Sequence, residues 1–272
     1  MKVNTAGLNI SIGTSGFSYE DWIGPVYPEG TKKGDMLSCY ARELGFRIVE
    51  LNYTYYTQPS ARGVEGMLKN TPEDFVFVVK AHSSMTHKIR DGNGAYIRDE
   101  GAIETFFSGL APMIDSGRLK CVLAQFPVKF SRNDGSIEHL KWFAEAMSRA
   151  PLAVELRSAS WVAQSVFDLL RSLAVTYCVA DCPDLPRLAR FTPVLTSSMA
   201  YFRFHGRNRR WFNVPTNERY NYRYQDEELR QFLDPVRRLA SMAEETLIFF
   251  NNHFQGAAVK NALKLKDLLE KT

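Results

Sequence analysis

The amino-acid sequence predicts a single α/β domain over residues 1–272, folded as a (β/α)8 TIM-type barrel with parallel strands. Eight short segments rich in β-branched and aromatic residues recur along the chain, and segments of helical period separate them. Hydrophobic residues make up 45% of the chain and charged residues 24%, which is typical of a globular protein with a packed core. No linker, composition shift or internal repeat divides the sequence.

Each predicted strand is a short run of apolar residues, many of them β-branched or aromatic. A closed βα barrel requires eight strands, and the sequence supplies that number. The predicted strands are Ile10–Thr14, Arg47–Asn52, Phe75–Lys80, Cys121–Phe126, Ala153–Arg157, Thr176–Asp181, Tyr201–His205 and Leu247–Asn251.

The segments between the strands carry apolar stripes at three- and four-residue steps, so each predicted helix presents one apolar face to the sheet. Two such stripes are Met36, Leu37, Tyr40, Ala41 and Leu44, and Val259, Ala262, Leu263 and Leu269. Residues 182–198 contain Pro183, Pro186 and Pro193, which predicts a short or irregular helix between the sixth and seventh strands.

The competing fold is a doubly wound open sheet, which usually has a glycine-rich turn after its first strand. The turn Gly13-Thr14-Ser15-Gly16 lacks the GxGxxG spacing of that turn. The barrel is therefore the favoured architecture.

Charge and cysteine content limit the class of protein. Lys and Arg total 34 and Asp and Glu 30, so the net charge of +4 does not indicate a nucleic-acid or membrane protein, and a basic binding site must be local. The first residues lack the features of a signal peptide, and no apolar run approaches the roughly 20 residues needed to cross a bilayer. Cys39, Cys121, Cys178 and Cys182 lack zinc or redox spacing, which predicts buried free thiols. We therefore expect a cytoplasmic protein without a membrane partner.

Polar residues at the C-terminal ends of the predicted strands form the candidate site, because chemistry in βα barrels gathers there. The two-residue period of a strand places Glu50 and Asn52 inward and their apolar neighbours outward. The same parity directs Glu155, Arg157, Arg203 and His205 inward, and Val154, Leu156, Phe202 and Phe204 toward the helices. Lys80, Gln125 and Asp181 end three further strands.

A buried ion pair that only stabilises the core is the alternative for a pair such as Glu155 and Arg157. It accounts less well for the whole set, since many inward ionisable groups are costly to bury unless they line a solvated or ligand-filled cavity. We interpret the set as a site.

Three loops on the same face are polar. Residues 81–100 include His82, His87, Lys88, Arg90 and a Gly-Asn-Gly turn, which suits a lid. Residues 203–223 carry six arginines against one acid, interleaved with aromatic residues that either stack on a ligand ring or pack over the barrel rim. Residues 251–258 lead into the last helix. They form either a phosphate site at the N-terminus of that helix or an Asn-rich turn.

A series of short motifs follows in order along residues 12–269. They are Ile12–Tyr19 with Trp22 and Tyr27-Pro28, Val49–Asn52 with Thr54, Tyr56 and Pro59, Phe77 with Lys80 and Thr86-His87, Gln125–Pro127, Ala153–Arg157 with Ser160-Trp161, Tyr201 with Arg203 and His205-Gly206, and Phe250–His253 with Gly256-Ala257 and Asn261-Ala262. In order and spacing the chain resembles the YecE-like family, which is classed as a domain of unknown function.

The resemblance implies a TIM-type barrel, in agreement with the strand count, and implies no established reaction. The recurrent polar residues of the family correspond to Glu50, Asn52, Lys80, Gln125, Glu155, Arg157, Arg203, His205, Asn251 and Asn252. This sequence departs from the family pattern at Ser158, where His is frequent, and at Phe17, where Trp is frequent. A mechanism that needs a histidine beside Arg157 is therefore not expected here.

These observations predict an enzyme that holds a small anionic substrate, phosphorylated or carboxylate, at a positively lined mouth. Glu and His side chains supply acid–base chemistry, and Lys80 either binds the anion or forms a Schiff base. The candidate catalytic residues are Glu50, Lys80, Glu155 and His205, and the candidate substrate-binding residues are Asn52, Tyr56, Gln125, Arg157, Trp161, Asp181, Arg203, Asn251 and Asn252.

Three alternatives stay open from the sequence, which does not determine the oligomeric state. The cofactor is unknown, and a divalent metal held by Glu50, Glu155, Asp181 and His205 is one alternative, although neighbouring arginines compete for those carboxylates. In the second, the arginine-rich loop grips a nucleic-acid backbone and stacks an unpaired base. The third is a non-catalytic sensor that uses the same pocket for an anionic metabolite.

Overall fold

Eight parallel strands form the centre of the fold in the computed structural model, which describes residues 1–3, 7–212 and 214–271. The strands are β1 (Ile10–Thr14), β2 (Ile48–Leu51), β3 (Val76–Lys80), β4 (Leu119–Phe126), β5 (Leu152–Leu156), β6 (Thr176–Asp181), β7 (Met199–Phe204) and β8 (Glu245–Phe250). All eight predicted strands are confirmed, and their ends differ from the predicted ends by at most two residues.

The strands pair in the order of the sequence and return to the start. Each strand from β2 to β7 pairs in parallel with the next, and β8 pairs with β1. Between β1 and β2 the ring meets through a single bridge, in which the Gly16 N–H donates to the Glu50 carbonyl oxygen at 2.8 Å. The predicted (β/α)8 barrel is therefore confirmed as a nearly closed barrel.

Helices surround the strands in the described part of the chain. They are α1 (Met36–Arg42), α2 (Ala61–Lys69), α3 (Ser83–Thr86), α4 (Glu100–Asp115), α5 (Asp134–Ala146), α6 (Gln164–Ser172), α7 (Thr216–Arg219), α8 (Asp226–Arg230), α9 (Leu233–Ala240) and α10 (Ala257–Glu270), with 3-10 turns at Glu20–Trp22, Tyr53–Tyr55, Ala159–Trp161 and Phe254–Gly256. The two predicted helical stripes fall on α1 and α10, although α1 ends before Leu44 and Leu263 of α10 is 43% exposed instead of facing the sheet.

The connection from β6 to β7 contains no helix, whereas the sequence predicted a short or irregular one. Its prolines lack backbone N–H donors and restrict the residues before them, so a helical ladder does not form. The segment is instead held to the barrel by the Ala189 N–H, which donates to the Arg157 carbonyl oxygen at 2.8 Å, and by the Thr196 hydroxyl, which accepts from the Tyr177 N–H at 2.7 Å.

Apolar side chains on the two faces of the sheet form two separate clusters. The inner cluster fills the barrel with Ile48, Val78, Cys121, Leu123, Ala153, Cys178, Tyr201, Leu247 and Phe249. Val49, Leu51, Val154, Leu156, Phe202 and Phe204 belong instead to the outer core beneath the helices. This division confirms the predicted strand parity and leaves the inward polar residues at one end of a packed barrel.

The four cysteines are free thiols, as predicted; three are buried and Cys182 is half-buried. Among the described residues, no helix combines the length and apolar character that crossing a bilayer requires.

Candidate functional site

A layer of charged side chains lies across the barrel interior, above the inner apolar cluster. Arg203 at its centre is 1% exposed and donates to two carboxylates: Nη2 to Glu50 Oε1 at 2.6 Å, and Nη1 to Glu155 Oε2. The Tyr201 hydroxyl donates to the second oxygen of Glu50 at 2.6 Å, and Arg157 Nε donates to the second oxygen of Glu155 at 2.7 Å. Every carboxylate oxygen in this layer therefore has a partner, as buried charges require.

The charges of this layer keep Glu155 ionised. Burial acts to raise the pKa of Glu155, but the positive charge of Arg203 and the neighbouring His205 and Arg157 outweigh it and hold the pKa well below its ordinary value. Glu155 is therefore a fixed negative charge that orients two guanidinium groups, and not a ready proton donor.

His205 lies beside Glu155 in the same layer and is neutral at neutral pH. Burial lowers its pKa to about 4 despite the adjacent carboxylate. The Asn251 amide nitrogen lies 2.9 Å from Nδ1 and donates to it, which leaves the proton on Nε2. Nε2 lies 3.3 Å from Glu155 Oε1 but lacks hydrogen-bond geometry there, so the position of the proton depends on Asn251.

A cavity of about 780 Å³ opens above the charged layer, at the C-terminal ends of the strands. The side chains around it are mainly cationic, aromatic and amide. They belong to Phe17, Ser18, Tyr19, Lys33, Leu51, Asn52, Tyr53, Tyr55, Tyr56, Met67, Lys80, His87, Gln125, Arg157, Arg203, Arg219, Tyr220, Asn251 and His253, with Gly16 contributing backbone.

Lys80, at the end of β3, lies in the cavity wall without a carboxylate partner among the described residues. Its Nζ donates to Gln125 Oε1 at 3.1 Å and lies 4.6 Å from the centre of the Tyr55 ring. Burial, together with the charges of Arg203 and Arg157, lowers the pKa of Lys80 to about 7. Near neutral pH the amine is therefore present in both protonation states.

The arginine-rich loop after β7 packs on the rim with some residues and lines the cavity with others. Trp211 and Tyr220 are buried against Leu188, and the Tyr220 hydroxyl accepts from Arg157 Nη2 at 3.4 Å. Burial acts to raise the pKa of Tyr220, but Arg157 lowers it below its ordinary value. Packing over the barrel rim is therefore confirmed for Trp211 and Tyr220, whereas Tyr220 and Arg219 also line the cavity, and stacking on a ligand stays a prediction.

The base of the same loop is held by Asp181. Its carboxylate accepts from Arg207 Nη2 at 3.0 Å and from the Tyr224 hydroxyl at 2.6 Å. The Tyr224 hydroxyl in turn accepts from the Gly206 N–H at 2.8 Å. These contacts fix both ends of the segment that carries Trp211 and Tyr220.

The loop after β3, which the sequence predicted as a lid, contributes His87 to the cavity wall. The Thr86 hydroxyl lies 2.9 Å from Nδ1 of His87, and burial with the charge of Lys80 lowers its pKa to about 3. His87 is therefore a neutral imidazole. Further along, Arg90 donates to the Tyr96 hydroxyl at 2.7 Å and lies over its ring, which holds the loop back on itself.

Comparison with known proteins identifies the family. A family model described as "Protein of unknown function DUF72" matches residues 11–272. The chain belongs to the DUF72 family. Among curated proteins it is 30% identical over 276 residues to the UPF0759 protein YunF of Bacillus subtilis, covering 96% of this chain and 95% of that protein. The family resemblance carried by the sequence motifs is therefore confirmed.

Solved structures of DUF72 proteins share the fold over nearly the whole chain. A DUF72 family protein from Thermotoga maritima is 44% identical with a TM-score of 0.90, covering 96% of this chain and 99% of that one. A second, from Enterococcus faecalis, is 27% identical with a TM-score of 0.82, covering 96% and 95%.

The DUF72 barrel brings most of the predicted site residues together at one end. Asn52, Tyr56, Lys80, Gln125, Arg157, Arg203 and Asn251 line the cavity. Glu50, Glu155 and His205 are buried in the charged layer beside it.

Three predicted substrate-binding residues lie elsewhere in this DUF72 chain. Asp181 holds the base of the loop after β7, as described above. The Trp161 ring is fully buried in the outer core and donates from Nε1 to the Phe130 carbonyl oxygen at 2.6 Å. Asn252 donates to the Tyr222 carbonyl oxygen at 2.9 Å and to Asn261 at 2.8 Å, so its amide joins the last helix to the loop.

Sequence reasoning did not select several residues of the cavity wall. Tyr55 lies beneath Lys80, and Tyr19 stacks on His253 with ring centres 4.4 Å apart. The aromatic run Tyr53–Tyr56 directly after β2 was a usable signal, because it follows a strand end on the predicted face. Tyr19 reaches the cavity from the loop after β1, and its signal in the sequence was its place in the motif Ile12–Tyr19.

The donors considered for a metal do not assemble into one site. No group of three or more His, Cys, Asp or Glu side chains with metal-binding geometry occurs among the described residues. Arg203 occupies an oxygen of Glu50 and of Glu155, and Asp181 is engaged with Arg207. The residues present therefore do not fit a divalent ion at this position.

Proposed function

We propose that this DUF72 protein is an enzyme that binds a small anionic substrate, phosphorylated or carboxylate, in the cavity. One observation carries the proposal: among the described residues that line the cavity, five are cationic and none is Asp or Glu. The five are Lys33, Lys80, Arg157, Arg203 and Arg219. Because Glu50 and Glu155 lie below and are already bonded to Arg203, the cavity keeps an excess of positive charge that an anion would neutralise.

Arg219 provides an independent reason to expect an anion. Its Nε atom is buried and has no hydrogen-bond partner within the part of the chain that the structure describes, and its guanidinium lies 5.8 Å from the centre of the Trp211 ring. A buried donor without an acceptor costs about 1–3 kcal/mol, and a bound phosphate or carboxylate supplies the missing acceptor.

The dimensions and aromatic walls of the cavity restrict the substrate further. A volume of about 780 Å³ is within the usual range of small-molecule sites, roughly 300–1,000 Å³. Tyr19, Tyr55 and Tyr220 present rings to this space, and such rings favour a planar or ring-containing substrate. The substrate class is therefore a small anion with an apolar or cyclic part.

We assign the acid–base roles to groups that line or adjoin the cavity and that can change or share a proton. Lys80 changes charge near neutral pH, and Tyr220 has a lowered pKa beside Arg157. His205 is neutral and carries its proton on the nitrogen that faces Glu155. Glu50 and Glu155 serve as positioning residues that hold Arg203 and Arg157 in place.

A binding experiment tests the proposal. Thermal unfolding is recorded with inorganic phosphate, phenyl phosphate, benzoate and a single-stranded oligonucleotide, for the wild type and for Arg219→Gln and Arg209→Gln. Arg209 is exposed on the same loop outside the cavity and serves as the matched control. Loss of one charged hydrogen bond in Arg219→Gln should weaken anion binding roughly ten- to hundred-fold and leave the control unchanged.

Other outcomes separate the alternatives. Stabilisation by the oligonucleotide alone, lost steeply as salt rises, would favour the nucleic-acid hypothesis over a small substrate. Mass spectrometry of each stabilising compound after incubation tests turnover, and binding without turnover of any of them would favour a sensor. No stabilisation by any anion would contradict the proposal.

A further inference from the structure

We propose that the Lys80 amine attacks the carbonyl carbon of the substrate and holds it as a covalent imine. This inference rests on the proposed function and names its substrate class, an aldehyde or ketone that also carries a phosphate or carboxylate. Lys80 lies at the end of β3 in the cavity wall, where its amine would contact a substrate bound in the cavity.

The partners of Lys80 distinguish it from the other buried cations of the site. Arg203 is bonded to two carboxylates and Arg157 to Glu155, so both guanidinium groups are fixed as charges. Among the described residues, the Lys80 amine contacts only a neutral acceptor, Gln125 Oε1 at 3.1 Å, and the face of the Tyr55 ring. An amine held this way loses its proton without leaving a carboxylate unpaired.

The electrostatic surroundings favour the uncharged amine. Burial, Arg203 and Arg157 lower the pKa of Lys80 to about 7, against the opposing effect of Glu155 and Glu50. About half of the molecules carry the nucleophilic form at pH 7, whereas an exposed lysine with a pKa near 10.4 carries roughly one in 2,500. Desolvation and neighbouring cations activate lysine nucleophiles in this manner.

Two unsatisfied polar atoms belong to side chains that line the same cavity as this amine. Gln125 is 3% exposed, and its Nε2 has no hydrogen-bond partner among the residues that the structure describes, although its Oε1 accepts from Lys80. Asn52 Oδ1 is also buried without a partner in residues 1–3, 7–212 and 214–271, and both side chains line the cavity. A substrate carbonyl oxygen would accept from Gln125 Nε2, and the hydroxyl that forms from it would donate to Asn52 Oδ1.

The step balances without an oxidant or reductant. The Nζ lone pair forms the C–N bond while the carbonyl π pair moves to oxygen, and one amine hydrogen transfers to that oxygen. The resulting carbinolamine loses its hydroxyl together with the second amine hydrogen as water, and the C=N bond forms. Tyr220, with its lowered pKa, is placed in the cavity to carry these protons.

Reductive trapping with a defined probe tests the inference. The wild-type protein is incubated at pH 7 with sub-stoichiometric 4-carboxybenzaldehyde and cyanoborohydride, and modified lysines are mapped by mass spectrometry. Lys80 should be labelled at least about ten-fold faster than exposed lysines, because its free-base fraction is far larger. Benzaldehyde, which lacks the carboxylate, should label Lys80 more slowly than the charged probe.

Two substitutions provide matched controls. Lys80→Arg keeps the positive charge and cannot form an imine, so it should remove the fast-labelled site. Lys32→Arg changes an exposed lysine that does not line the cavity, and should leave fast labelling intact. If Lys80→Arg fails to fold, the pH dependence of Lys80 labelling in the wild type replaces it. The labelling rate should reach half-maximum near pH 7, the pKa of Lys80. The groups around the amine that bear on this pKa are Arg157, Arg203, Glu50, Glu155 and the neutral His87.

The imine proposal would be overturned if Lys80 is labelled no faster than the exposed Lys33. It would also be overturned if the labelling rate of Lys80 reaches half-maximum only above pH 9. Stabilisation by terephthalate, which has the shape of the probe but no aldehyde, is measured in the same samples. If terephthalate stabilises the protein while Lys80 stays unlabelled, the imine fails and anion binding stands. If neither occurs, both proposals fail.

Discussion

Arg203 on β7 and Glu50 on β2 meet across the barrel interior, where Arg203 Nη2 donates to Glu50 Oε1 at 2.6 Å. Both side chains are at most 1% exposed, and Glu155 on β5 shares the same guanidinium. Three strands that are not neighbours are thereby joined through one cation. The charged layer is consequently both the floor of the cavity and a structural element of the barrel.

Replacement of Arg203 tests the structural part of this relationship. Arg203→Met leaves the buried carboxylate of Glu50 without a cation and that of Glu155 with Arg157 alone, so the free energy of unfolding should fall by about 3–5 kcal/mol. Arg209→Met, on an exposed residue, should change it by less than about 0.5 kcal/mol. Urea unfolding of the three proteins measures both values. A loss below 1 kcal/mol in Arg203→Met would contradict the finding that this cation balances the layer.

Anion binding should draw a proton onto Lys80. A bound anion favours the charged amine, so it raises a pKa that stands at about 7 in the free protein. Binding at pH 7.5 should therefore take up protons, and affinity should fall as pH rises above 7. Calorimetry of phenyl phosphate in two buffers of different ionisation enthalpy measures the uptake. Lys80→Arg should bind without it, since arginine stays charged; equal uptake in that variant would assign the proton to another group.

His139 should limit stability in mild acid. Its ring is stacked on Tyr96, both ring nitrogens lack hydrogen-bond partners in the described part of the chain, and burial lowers its pKa to about 4. The His139 side chain binds a proton near pH 6.5 in the unfolded chain and near pH 4 in the folded chain. The free energy of unfolding therefore falls as the pH is lowered from 6.5 to 4. His139→Phe removes this loss and should gain roughly 1–2 kcal/mol over wild type from pH 7 to 5 in urea unfolding. The same difference at both pH values would show that His139 does not titrate in this window.

Asp181 should act on the cavity through the loop that it holds. Asp181→Ala leaves Arg207 and the Tyr224 hydroxyl without their shared acceptor, so the loop that carries Trp211 and Tyr220 should loosen. We expect faster proteolysis within residues 206–224, a Trp211 emission shifted to the red, and weaker binding of phenyl phosphate. Asp184→Ala, an exposed residue on the preceding connection, provides the control. Unchanged proteolysis in Asp181→Ala would assign the loop's order to its aromatic packing alone.

The period of two along each strand predicted correctly that Glu50, Glu155, Arg203 and His205 point inward, since side-chain alternation is a local property of the backbone. The same alternation would also have predicted the orientation of Asp181. Cys178 faces the barrel interior, so Asp181, three residues later on β6, faces outward. Applied to β6, the rule would have removed Asp181 from the predicted site. Trp161 and Asn252 follow strand ends, where side-chain alternation no longer applies. Their tertiary contacts determine whether they face the cavity.

Side-chain alternation, strand number and motif order are properties of the linear chain, so they were enough to predict the barrel, its family and the inward polar residues. Which charges find a partner depends instead on the folded arrangement. Arg203 and Lys80 are both cations near strand ends, yet one lies between two carboxylates and the other faces a neutral amide. That difference depends on distances of a few ångströms between residues up to 153 positions apart, and Coulomb and hydrogen-bond energies are set by those distances and not by sequence position.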